Sequence, residues 1–128
     1  MMSVAWQHEP GTATANGRIG VGGLVVSEVF YCGERAGQVT VRRGEMKHSL
    51  DPRFDLRKHS PNGFGWGNGE GRPEQLSLAL LADALQNEGR ALQLHHRFNE
   101  RVVRILPERW TLTRSRILAY ASMLEQDG

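Results

Sequence analysis

The chain has 128 residues, a formal net charge of +2 and a single cysteine, Cys32. That length predicts one domain whose core stands without disulfides or metals. The lone cysteine excludes an internal disulfide and fits a reducing, cytoplasmic setting. No apolar run reaches membrane-spanning length, and the N-terminus lacks the basic-then-apolar order of a signal peptide. With so small a net charge, the pI near 9.1 overstates how basic the protein is.

Residues 1–23 are polar and glycine-rich, with Pro10, Asn16-Gly17 and Gly22-Gly23, and read as a flexible arm whose one sizeable apolar anchor is Trp6. The domain proper is expected over 24–128. Leu24 to Cys32 is dominated by branched and aromatic residues and predicts a strand. Gly33 to Gly37 reads as a turn, and Gln38 to Arg43 as the returning strand of a hairpin, with Val39 and Val41 on one face. Met46 to Leu50 suits a short third strand, broken at Asp51-Pro52.

Helices follow. The first is expected from Pro73 to Leu85, ending near Asn87-Glu88-Gly89 with Gly89 as its C-terminal cap. The second runs from Arg90 to Leu106, with Ala91, Leu94, Phe98, Val102 and Ile105 on its apolar side and Pro107 as its stop. Thr113 caps a third that continues through Leu124 and buries Ile117, Leu118, Tyr120, Ala121 and Leu124, with Trp110 packed in the connection. The predicted class is α+β, a small antiparallel sheet (a hairpin plus short strands) packed by three helices.

Between strands and helices lies the segment from His59 to Leu81. Gly63, Gly65, Gly67, Gly69 and Gly71 alternate with Phe64, Trp66, Asn68 and Glu70, and the run meets a helix start at Pro73 and Glu74. One reading is an anion site: backbone N–H groups at a helix N-terminus preceded by glycines suit phosphate. Its candidate residues are His59, Ser60, Asn62, Gly67, Asn68, Gly69, Gly71 and Arg72. The run matches neither the P-loop nor the dinucleotide fingerprint, and Glu70 and Glu74 stand where a phosphate would enter. The other reading is a structural turn, seated by Phe64 and Trp66 beneath the first helix.

Arg90, Arg97, Arg101 and Arg104, on one continuous helix, fall within roughly a 60° arc. This arginine stripe suits phosphate or carboxylate groups, or it is a solvated face with Glu100 and Glu108 for pairing. His95 and His96 are adjacent, so on a helix their side chains diverge by about 100°. No Cys or carboxylate spacing completes a zinc set, and neither a metal nor a cofactor is implied. His59 is the candidate acid or base of a small enzyme, but Asp55 and Ser60 do not make a diagnostic set with it. Cys32 on a strand favours an inert thiol.

The run from Leu56 to Leu81 also carries a resemblance. Leu56, Arg57, His59, Ser60, Pro61, Gly63, Phe64, Trp66, Gly67, Pro73, Gln75 and Leu76 fit the pattern Leu-Arg-x-His-Ser-Pro-x-Gly-Phe-x-Trp-Gly, then Pro-x-Gln-Leu-x-Leu-Ala-Leu-Leu. This resembles the central signature of an uncharacterised family of small domains from bacteria, their phages and plasmids. Relatives tend to carry an aromatic at the place of Asn68, which implies a changed contact there. The resemblance implies a compact α+β domain in a mobile-element setting, and the family has no settled function to carry over. Because the polar residues do not assemble a complete catalytic set, the expected function is a non-catalytic binder of a host protein, a nucleoprotein complex or a phosphate-containing ligand; the mobile-element setting adds inhibition of host defence as an analogy. The alternatives are a small enzyme using His59 and a nucleic-acid-binding regulator.

Overall fold

The structure, a computed structural model, describes residues 18–21, 24–34, 37–60, 63–66 and 71–127. In chain order the strands are β1 (Arg18–Val21), β2 (Leu24–Ser27), β3 (Val29–Glu34), β4 (Gln38–Arg43) and β5 (Met46–Ser49). Helices α1 (Arg72–Leu85) and α2 (Glu88–Arg101) follow, then a 3-10 turn at Val103–Ile105, strand β6 (Trp110–Thr113) and helix α3 (Arg114–Asp127). Strands β1 and β2 pair with each other, and the other four form one antiparallel sheet in the order β5-β4-β3-β6.

Side chains alternate across a strand, so every second residue of β3, β4 and β6 faces the helices. Val29, Tyr31, Val39, Val41, Trp110 and Leu112 are the buried set. Against them lies α1, in which every residue from Gln75 to Leu85 except Asp83 is buried. A helix apolar on all sides belongs in the middle of a fold, and α2 and α3 both pack on it. Its two ends are held by charge and hydrogen bonds. Near the C-terminus the Tyr31 hydroxyl donates to Asp83 at 2.5 Å, Arg43 pairs with the same carboxylate, and Arg114 Nε donates to the Ala84 carbonyl at 2.9 Å. Burial and the Asp83 carboxylate push the Tyr31 hydroxyl far above its ordinary value.

The α+β class holds, with several elements shifted. The strand expected over 24–32 is two, divided at Glu28, whose carboxylate accepts from Val29 N at 3.1 Å and from Ser115 Oγ at 2.8 Å. Arg18–Val21, inside the stretch read as an arm, pairs with Leu24–Ser27; residues 1–17 lie outside the described residues. Gly89 does not cap the first helix. Gln86 takes the left-handed conformation (φ 55°) and closes α1 onto the Ala82 carbonyl, while Asn87 Oδ1 accepts from Arg90 N and starts α2. The second helix ends at Arg101 because Val102 leaves helical geometry (φ −126°), which buries Val103 and leaves Ile105, expected on the apolar side, 76% exposed. Thr113 Oγ1 does accept from Arg116 N at 3.1 Å, as a cap should.

Trp110 is not in a connection but opens an edge strand. Gly33, expected in a turn, is inside β3 directly opposite it. A Cβ on Gly33 would sit 2.2 Å from the Trp110 indole, so the ring lies flat over a position that only glycine leaves open. Gly33→Ala is expected to displace that ring and lower stability by about 1–3 kcal/mol, read as a fall in the denaturation midpoint at unchanged slope.

Candidate functional site

The glycine segment is held at its neck by one side chain. Gln75, in the first turn of α1, is fully buried. Its Oε1 accepts from His59 N at 2.6 Å and Ser60 N at 3.1 Å, and its Nε2 donates to Pro52 O at 2.8 Å and Arg57 O at 2.9 Å. All four hydrogen-bonding positions of the carboxamide are used, on backbone that has no helix or strand to satisfy it. At the far side of the neck Gly71 has φ 75°, and a Cβ there would lie 2.4 Å from the His59 carbonyl oxygen. The chain therefore enters the loop at His59 and leaves it at Gly71 in direct contact. Trp66 seats edge-to-face on Trp110, with centroids 5.5 Å apart, and Phe64 is half-buried against the core.

Above Gln75 three imidazoles and a carboxylate meet. His95 Nδ1 lies 2.8 Å from the Leu92 carbonyl. A carbonyl only accepts, so this nitrogen carries hydrogen and neutral His95 presents a bare Nε2. His59 Nε2 is 2.9 Å from that atom and must be the donor. Neutral His59 then has a bare Nδ1, which faces Glu74 Oε1 at 3.3 Å, while His96 Nδ1 lies 3.1 Å from Glu74 Oε2. His95 is 1% exposed, whereas the His96 side chain is 56% exposed, so the chain of contacts runs from interior to solvent. Burial pulls both His59 and His95 below their ordinary value; Glu74 works against this for His59, and the Leu92 carbonyl for His95. Among the described residues no group of three or more His, Cys, Asp or Glu is placed to hold a metal ion.

The expected site residues divide. His59 and Ser60 stand at the neck, Ser60 buried; Gly71 precedes α1 and Arg72 opens it with an exposed side chain. Asn62, Gly67, Asn68 and Gly69 lie outside the described residues. The arginine stripe is not one helical arc, since α2 stops at Arg101 and Arg104 belongs to the 3-10 turn. Arg90 binds Glu125 through Nε and Nη2 at 2.8 and 2.9 Å, and Arg97 Nη1 donates to the Leu124 carbonyl at 2.7 Å, so these two fasten α2 to α3. Arg101 is exposed at the helix end. The rings of His95 and His96 stay close, with centroids 4.2 Å apart, because His95 is drawn to His59 and His96 to Glu74, which themselves adjoin.

Gln75, Glu74 and His95 are the residues that sequence reasoning did not place in the site. His95 sits four residues after Ala91 and three before Phe98, on the apolar stripe itself, and that position was the available signal for a buried imidazole. A separate cleft of about 440 Å³ opens beside the C-terminus of α1, lined among others by Asp51, Arg53, Asp83 and Glu88. Its charges are engaged within the fold, Asp83 by Tyr31 and Arg43, and Glu88 by Arg53.

A four-stranded antiparallel sheet backed by three helices, with a glycine segment clasped at the head of the central helix, defines a small α+β domain. A model described as "Family of unknown function (DUF6166)" matches residues 31–123, and the chain belongs to that family. No curated protein and no solved structure matches it. Among the described residues no helix is long and apolar enough to cross a membrane.

Gln75→Leu keeps the bulk of the side chain and strips four backbone groups of their partner, so a loss above about 3 kcal/mol is expected in chemical denaturation. The histidines set a pH dependence. His59 and His95 bind protons more weakly in the folded chain than in the unfolded one, whose value is near 6.5. As pH falls through that value the unfolded chain takes up protons first. The stabilisation is fully present above it and declines below it. Denaturation midpoints measured across this range should fall on acidification, and less steeply in His95→Gln.

Proposed function

We propose that this chain is a non-catalytic binding protein that engages a phosphate-bearing group of a protein or nucleoprotein partner at the mouth of the glycine segment. The observation that carries the reading is the placement of charge there. Glu74, which would oppose an anion, is turned onto His59 and His96. Arg57 and Lys58 before the neck and Arg72 after it are exposed. Gly71, the N-cap of α1, has no side chain to cap the helix, whose positive end lies at this rim. The loss of Arg90 and Arg97 to helix packing moves the proposed contact from the arginine stripe to this rim.

The polar atoms around His59 do not complete a catalytic set. His59 Nε2 is used on His95, and the backbone N–H of Ser60 is in the Gln75 clasp. A second reading, a small enzyme, is favoured by one contact: Glu74 beside His59 supplies an orienting acid. The mobile-element setting implied by the signature makes a host defence component the partner class of choice.

Inorganic pyrophosphate is the probe for the site. It is expected to raise the melting temperature of the protein and to give a calorimetric binding signal, both lost in the double variant Arg57→Glu, Arg72→Glu. That variant should keep its own stability within about 0.5 kcal/mol, as exposed positions do. Equal responses from the two proteins, or none from either, would overturn the proposal.

A further inference from the structure

We propose that His59, His95 and Glu74 form a proton-operated latch that keeps the neck of the glycine segment closed at neutral pH and opens it when two protons are bound. The geometry gives each proton one place to go. The first goes to His59 Nδ1, the bare nitrogen 3.3 Å from Glu74 Oε1. It creates an ion pair and leaves the bond from His59 Nε2 to His95 intact. The second must go to His95 Nε2, because His95 Nδ1 already carries the hydrogen given to Leu92 O. That atom is the acceptor of the His59 bond, 2.9 Å away. A donor then faces a donor, and two cations share a space where His95 is 1% exposed.

The surrounding charges do not relieve this. Glu74 from α1 supplies one carboxylate, already shared with His96 of α2, and Arg57 from the segment before the neck adds positive charge near both rings. Of the two rings, His95 is fixed within α2 and tied to Leu92, so His59 is the one that moves. Its backbone N–H rests on Gln75 and its carbonyl on Gly71, so displacement of the ring acts on both sides of the neck. Burial delays both protonations, which keeps the latch closed near neutral pH. Any effect on ligand capture rests on the binding reading above; the latch itself does not.

The test is amide hydrogen exchange at about pH 7.5 and about pH 5, corrected for the intrinsic effect of pH, on the unmodified protein and on His95→Gln. In the unmodified protein, protection at the amides of His59, Ser60 and Gly65 should fall about tenfold or more in acid while residues 78–85 of α1 stay protected. In His95→Gln the carboxamide oxygen still accepts from His59 and gains no proton, so protection should persist. Imidazole NMR of the unmodified protein gives an independent check, with His59 expected to titrate before His95. Unchanged protection, an equal loss in His95→Gln, loss spreading into α1, or His95 titrating first would each overturn the latch. Pyrophosphate binding is measured separately at pH 7.5. Its failure there removes the anion reading and leaves the latch, whereas constant protection removes the latch and leaves the anion reading.

Discussion

The carboxamide of Gln75 is the constraint on which the neck of the glycine segment depends. Residues 50–60 form no helix or strand, yet they run against the core, where unpaired backbone groups are costly. Two of these groups are donors and two are acceptors. Only a planar amide with a reach of three methylene-scale bonds answers both kinds at once. Glutamate has no donor, leucine has neither, and asparagine is one bond too short. The clasp works because Gln75 sits in the first turn of a helix that cannot shift.

That rigidity comes from the burial of α1. Its surroundings are the inner face of the sheet and the two other helices, and close packing of this kind resists small displacements. The Tyr31 and Arg43 contacts to Asp83 register the far end of α1 against β3 and β4, and Arg114 closes its last carbonyls from α3. The near end is thereby a fixed platform. Trp110 links the platform to the loop a second way, lying over Gly33 and meeting Trp66 edge-to-face. An edge strand of four residues thus anchors a segment some forty residues earlier in the chain.

The sheet hairpin, the three helices and the Thr113 cap were legible because they rest on local signals: alternation over Gln38–Arg43, three-and-four spacing in the helices, and a hydroxyl before a helix. Tertiary demands decided the misses. Trp-Thr-Leu-Thr at 110–113 is too short to stand out, and it is a strand because β3 offers it an edge. Gly89 looks like a cap, but a two-residue connection gives that work to Gln86 and Asn87. In the site, His59 was visible as a polar residue at the loop entrance. Its partners were not, since His95 and Glu74 lie 36 and 15 positions away and only the crossing of α1 with α2 brings them together. The adjacent histidines mislead for the same reason: a helical wheel fixes where Cα–Cβ bonds point, whereas rings on rotatable bonds follow their hydrogen-bond partners.

Why a titratable contact should sit at this neck follows from the entropy of what it closes. A segment with glycine at every second position from 63 to 71 loses more conformational freedom on ordering than any other composition. Its own side chains supply two half-buried aromatics, Phe64 and Trp66. Among the described residues its backbone hydrogen bonds lie at the neck, where a loop-closing contact has its greatest leverage. A stiff loop would hold its shape with the neck open, and a change at His59 would then be silent. In this chain the same change bears on the backbone of His59, which meets Gln75 on one side and Gly71 on the other, so the hydrogen bond between two imidazoles lies next to both sides of the neck.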